Sequence, residues 1–159
     1  MRILLAIDGS PCSNFAVEEV CRRPWPAGSE VRLITVLLSP EPSLLGTASH
    51  HPTAYDDFFK QQSGDALRFL DKAADSIRQS APSLIVTRVL LEGRPKDIVL
   101  DEAERWGADL IVLGSHGRGI IKRLFLGSVS LAVVLNAPCS VEIVRCPSVL
   151  QSMESINVD

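Results

Sequence analysis

No apolar run in the 159 residues approaches the roughly 20 that a membrane-crossing helix needs, so a membrane partner is not expected. Basic excess is missing too. Sixteen Lys and Arg against 19 Asp and Glu leave a net charge of -3, and a nucleic-acid surface normally requires a clustered positive excess. Cysteine is scarce: Cys12, Cys21, Cys139 and Cys146 have no CxxC spacing, which argues against a zinc site and for a reduced, cytoplasmic protein. The first apolar run starts within two residues of Met1, leaving no room for a signal peptide. Two phosphate-binding signatures are also absent. There is no GxxxxGK[ST], and no GxGxxG follows the first apolar run, which speaks against a P-loop enzyme and a dinucleotide dehydrogenase.

What remains has the composition of one ordinary globular domain, 46% hydrophobic and 22% charged. Ile3–Ile7 is continuously apolar, as a central strand covered on both faces must be. Asp8-Gly9-Ser10 turns the chain and can cap a helix over Asn14–Cys21, which Pro24-Trp25-Pro26 ends. Val31–Leu38 is a second strand, followed by a long loop from Ser39 to about Thr53 that holds His50 and His51. Tyr55–Gln79 has helical spacing of Phe58, Phe59, Ala66, Phe69, Leu70, Ala73 and Ile77, with Gly64 a modest weakness. Leu84–Leu91 is a third strand. Pro95–Trp106 is a helix with proline near its start and Gly107 at its end. Leu110–Leu113 is a fourth strand, Val129–Asn136 a helix, and Ser140–Val144 a fifth strand. A polar, aperiodic tail begins at Ser148. Strands alternating with helices predict an α/β fold with a parallel sheet and right-handed crossovers.

The densest chemical signal is Gly114-Ser115-His116-Gly117-Arg118-Gly119 together with Gly127-Ser128-Val129-Ser130. An apolar strand running into glycines, then a helix start rich in hydroxyls, gathers backbone amides around an anion. Gly114 and Gly117 let the chain approach a phosphate without a Cβ in the way. Ser128 and Ser130 add hydroxyls at a helix start. If the first and fourth strands are neighbours where strand order reverses, Asp8 and the glycines share one crevice. Asp8 is anionic and suits ribose hydroxyls, an adenine amino group or a metal; capping the next helix can coexist with that.

Gly114-x2-Gly117-x9-Gly127-Ser128 resembles the G-2x-G-9x-G-[S/T] motif of ATP-binding universal stress proteins, and Ile-Leu-Leu-Ala-Ile-Asp-Gly-Ser resembles that family's first strand and turn. The resemblance covers about residues 1–146, which sets a domain at 1–147 and a tail at 148–159. It implies a single-domain three-layer α/β/α sandwich, Rossmann-like and of the adenine nucleotide alpha hydrolase type, with sheet order 3-2-1-4-5. It also implies an adenine nucleotide, ATP or else ADP or AMP, often with Mg or Mn. Carried over, Ala6, Ile7 and Asp8 line the base and ribose, and Val36 meets adenine through its backbone. Leu113, Gly114 and Gly117 continue the pocket, and Gly127, Ser128, Val129 and Ser130 hold phosphates. Members typically form homodimers, many through the last strand, where Glu142 here interrupts an otherwise aliphatic run.

Other residues have plainer readings. His116 reads as a loop-shaping or solvated histidine rather than a catalytic base, and His50-His51 as a nonspecific pair rather than a metal site. Arg118, Lys122 and Arg123 either reach terminal phosphates or form a solvated face. Cys12, near the proposed site, reads as a buried, inert thiol sooner than a redox-sensitive one. The function expected is a nucleotide-dependent stress-response switch, with slow ATP hydrolysis at most and no dedicated catalytic residue. An interaction scaffold of the same fold without nucleotide is the alternative, and a true hydrolase ranks last.

Overall fold

The computed structural model describes residues 1–38, 52–117 and 126–146, with only the helical backbone described for 52–59. The elements are β1 (Arg2–Ala6), α1 (Pro11–Arg22), β2 (Glu30–Leu37), α2 (Pro52–Ser80), β3 (Ile85–Glu92), α3 (Pro95–Trp106), β4 (Leu110–Gly114), α4 (Ser128–Asn136) and β5 (Ser140–Val144). All strands are parallel, in the order β3-β2-β1-β4-β5. Fold class and strand order are those expected.

β1 shows why its sequence is apolar without alternation. Ile3 and Leu5 face one layer with α1 and α2, where Val17, Val20, Leu70 and Ile77 are buried. Leu4 faces the opposite layer with α3 and α4, where Val99, Ala103 and Val133 are buried. A central parallel strand must therefore be hydrophobic at every position. At the sheet's edge one face suffices, and β3 carries exposed Ile85, Thr87 and Arg88.

Only α3 and β5 keep both expected boundaries; most of the others shift by one residue, and the starts of α1 and α2 by three. α1 starts at Pro11 rather than Asn14, because Ser10 Oγ accepts from Ser13 N–H (3.2 Å) and proline occupies the first turn, where a missing N–H costs nothing. α2 starts at Pro52 rather than Tyr55, again on a proline. β3 starts at Ile85, one residue after the buried Leu84. α3 ends as its sequence predicts. Gly107 is left-handed (φ 65°), and its N–H and that of Ala108 bond the carbonyls of Glu104 and Ala103.

The residues expected to form the long loop at 39–51, the basic group Arg118, Lys122 and Arg123, His50-His51 and the tail at 148–159 lie outside the described residues, as do the side chains of Phe58 and Phe59. Phe69 packs against the core, as expected. Among the described residues, no helix is long and apolar enough to cross a membrane.

Two polar clusters fasten the layers. Arg32, on the α3 side of β2, stacks its guanidinium 4.4 Å from the Trp106 ring and donates to the buried Glu102 (2.6 Å). Arg105 donates to the other Glu102 oxygen (Nε to Oε2, 3.0 Å). Burial alone would raise the Glu102 pKa, but hydrogen bonds from Arg105 and Arg32 overcome it and hold the carboxyl below its ordinary value. The second cluster concerns Glu142. Its side chain points to the α1 face of β5, where Arg23 grips it with two hydrogen bonds of 2.6 and 2.7 Å. The residue that interrupts the aliphatic pattern of β5 therefore has an intramolecular partner, and its charge does not lie along the strand's open edge.

Candidate nucleotide site

β1 and β4 are adjacent, with Ala6 opposite Leu113, so the turns that follow them meet at the carboxyl end of the sheet. This is where the order reverses, with β2 on one side of β1 and β4 on the other. Each turn has its own reason to form. Gly9 takes φ 77°, which glycine adopts without strain, while Ser10 N–H donates to Asp8 Oδ1 (3.0 Å). Ser10 then caps α1 and, in the same position, donates its hydroxyl to His116 O (3.2 Å). One serine thus ties the β1 turn to the glycine loop.

The glycines differ in what they do. A Cβ on Gly114 would lie 2.6 Å from the Cys12 carbonyl carbon and 2.8 Å from the Cys12 Cβ, so this glycine admits the first turn of α1. A Cβ on Gly117 would lie 2.7 Å from Asp8 Oδ2, so this one lets the loop pass close against the carboxylate. Neither has a positive φ; both are glycine for room, not for backbone conformation. Gly127 is the N-cap of α4, and its N–H donates to Ser115 O (2.7 Å).

Among the described residues, the first amides of α4 at this loop have no hydrogen-bond acceptor. The amides of Ser128, Val129 and Ser130 precede the first intrahelical bond, from Leu131 N–H to Gly127 O (2.9 Å). They add the positive end of a helix to the crevice. Ser128 is exposed and Val129 half-buried, its side chain turned to the α3–α4 core. Ser130 is buried, and its hydroxyl lies 2.9 Å from Gly114 O and 3.1 Å from Ser115 O. It pins helix to loop, so its proton is committed to carbonyls and its amide is what remains for a ligand.

On the other flank, Ile7 extends the β1–β2 pairing: its N–H donates to Ile34 O (2.9 Å), and its carbonyl accepts from Thr35 Oγ1 (2.8 Å). Its side chain belongs to the α1–α2 core. Ala6 and Val36 are half-buried at neighbouring strand ends, and Leu113 is buried. All eleven predicted site residues thus fall on the ends of β1, β2 and β4 or on the α4 start. Thr35 and Ser115 support the site without standing among the predicted residues, and Ser10, expected only in the turn and helix cap, also reaches the glycine loop. Their hydroxyls beside strand ends are the signal that was available.

The loop also touches sulfur. Cys12 Sγ lies 2.7 Å from Cys146 Sγ, and Ser115 Oγ donates to Cys12 Sγ at 3.8 Å. His116 Nδ1 is 3.2 Å from the same Ser115 Oγ. Burial, then the Cys146 contact, raises the Cys12 thiol above its ordinary value. Among the described residues, no group of three His, Cys, Asp or Glu side chains could hold a metal ion.

Relatives share this plan. The profile of the Universal stress protein family matches residues 1–145. A universal stress protein of Thermus aquaticus is 36% identical over 147 residues, covering 90% of this chain and 97% of the relative. The solved universal stress protein UspA of Lactobacillus plantarum superposes with a TM-score of 0.70 at 25% identity, over 91% of this chain and 97% of its own. A universal stress protein family protein of Arabidopsis thaliana, solved with AMP bound, superposes with a TM-score of 0.66 at 19% identity, over 91% of each chain. With a five-stranded sheet of this order and a profile match over nearly the whole chain, the protein belongs to the universal stress protein family.

Proposed function

We propose that the chain binds an adenine nucleotide, ATP or its products ADP and AMP, in the crevice between the β1 turn and the α4 start, and works as a nucleotide-dependent stress-response switch. The observation that carries this reading is the close approach of Gly117 to Asp8 Oδ2, which a Cβ would prevent, beside the amides of Ser128, Val129 and Ser130 at the start of α4. An acceptor carboxylate next to a donor-rich helix start matches the two ends of a nucleoside phosphate, ribose hydroxyls and phosphate oxygens. The AMP-bound Arabidopsis protein of the same fold supports the ligand class.

In this reading Ala6, Ile7 and Asp8 line the base and ribose, and the Val36 backbone meets adenine. Ile7 contributes its place in the wall, since both of its backbone polar groups are engaged. Leu113, Gly114 and Gly117 continue the pocket, and Gly127 with the next three amides holds the phosphates. Mg or Mn arrives with the phosphates and neutralises their charge. Hydrolysis is slow at most. Asp8 spends one oxygen on Ser10 N–H, and its other faces Gly117, on the ribose side of the crevice. The active form is a cytoplasmic homodimer, supported by the open edge of β5 and by Leu131, Val134 and Leu135 of α4, which are 47, 44 and 71% exposed.

The test is to denature the purified protein, identify any released nucleotide, and follow melting of nucleotide-free protein with Mg-ATP. Ligand at about a hundred times its dissociation constant adds roughly 2.7 kcal/mol, a rise of about 5–10 °C for a domain of this size. No released nucleotide and an unmoved melting curve overturn the proposal.

A further inference from the structure

We propose that Cys12 and Cys146 form a peroxide-oxidisable dithiol whose disulfide staples the start of α1 to the end of β5 beneath the glycine loop. The two sulfurs stand 2.7 Å apart, although 134 residues separate them in sequence. Closing to the roughly 2.04 Å of a disulfide needs a sub-ångström movement. Neither of the other cysteines can substitute. Cys21 lies nine residues further along α1, about 14 Å away at the helical rise, and Cys139 is at the opposite end of β5, roughly 20 Å from Cys146.

The site selects a small oxidant. Cys12 is 3% and Cys146 2% exposed, which shuts out a tripeptide disulfide and leaves hydrogen peroxide as an oxidant small enough to enter. Burial keeps the Cys12 thiol protonated and its oxidation slow, and two local features assist it. Cys12 sits in the first turn of α1, where helix amides favour a negative sulfur, and the Ser115 hydroxyl donates to it. The Cys12 sulfur attacks one peroxide oxygen and breaks the O–O bond, giving a sulfenic acid. The departing hydroxide takes the Cys12 proton and leaves as water. The Cys146 sulfur then attacks the Cys12 sulfur, the S–O bond breaks, and that hydroxide leaves as a second water with the Cys146 proton. Two electrons pass from the sulfurs to peroxide, and the protein loses two hydrogens.

The staple reaches the loop from both sides. Ser10, two residues before Cys12, donates to His116 O. Val144, two residues before Cys146, accepts from Ser115 N–H (2.8 Å). Gly114 is in contact with Cys12 itself. None of this requires a nucleotide, so the inference stands apart from the proposed ligand.

The experiment uses the full chain, reduced and desalted, then exposed to hydrogen peroxide, beside a C21S/C139S variant that keeps only the pair. Thiols counted after denaturation should fall from four to two in the parent and from two to none in the variant. Intact mass should drop by about 2 Da, the peptide map should join the Cys12 and Cys146 peptides, and dithiothreitol should restore the count. Thiols that persist, mass that rises by whole oxygens, or a link through Cys21, Cys139 or a second chain overturns the proposal.

Discussion

At the scale of single residues, Gly114 and Gly117 look alike in sequence and differ in consequence. A methyl on Gly114 meets the backbone of α1, which cannot retreat without moving the helix. Gly114→Ala should therefore cost about 2 kcal/mol, read as a melting midpoint lower by about 6 °C. Gly117 is exposed, and the group its Cβ would meet is a carboxylate oxygen. Gly117→Val should leave the melting of nucleotide-free protein within about 2 °C of the parent and abolish the shift with Mg-ATP. A preserved shift would mean that nucleotide does not sit over Asp8. The motif's spacing located both residues, but spacing is silent about which glycine packs against a helix and which against the Asp8 carboxylate. That distinction depends on where α1 docks, a long-range contact with no local signature. Ser130 illustrates the same limit, since its hydroxyl looked like a phosphate ligand and is engaged with the carbonyls of Gly114 and Ser115.

At the scale of elements, α1 and β5 are joined by Arg23 and Glu142. The pair is partly exposed, with side chains 42 and 21% accessible, so solvent screens it. Two-point geometry raises its worth above that of a single surface contact. Glu142→Ala should cost about 1 kcal/mol, and a double-mutant cycle with Arg23→Ala should return a coupling of about 0.5–1 kcal/mol in urea unfolding. Zero coupling would make the pair ornamental. Continuous apolar runs and 3.6-residue patterns were enough to identify the nine elements among the described residues, because burial on one or both faces writes itself directly into the apolar spacing. The start of α1 was not legible in this way. It is set by Ser10, whose hydroxyl serves helix and glycine loop together.

At the scale of the whole molecule, acid stability should follow Glu102. Its folded pKa lies below the ordinary 4.5, so its ionised form contributes stability that is complete above about that pH. The contribution is lost as pH falls below 4.5 and through the folded value. Glu19, also lowered by Arg23 and Arg22 against the opposing effect of burial, adds to the same acid limb. Unfolding midpoints should be level from about pH 5.5 to 7.5 and decline below pH 4.5, with a shallower decline in Glu102→Gln. At pH 7 that variant should be less stable by about 2 kcal/mol, because Arg32 loses its anionic partner inside the α3 layer. An unchanged acid limb in Glu102→Gln would assign the acid response elsewhere.

The position of β1 has a consequence for synthesis. It precedes both of its neighbours in the chain, β2 closely and β4 only from residue 110 onward. Once residues up to about 95 have cleared the exit tunnel, β1, β2 and β3 can pair while the other edge of β1 stays open, with its hydrogen-bonding groups unpaired. The crevice does not exist in that intermediate, because the Gly117 end of β4 has yet to be made. A nucleotide held in the crevice as proposed would therefore act only on the last stages of folding. A chaperone would be needed during that interval, and ribosome-stalled chains released before β4 should aggregate with or without ATP.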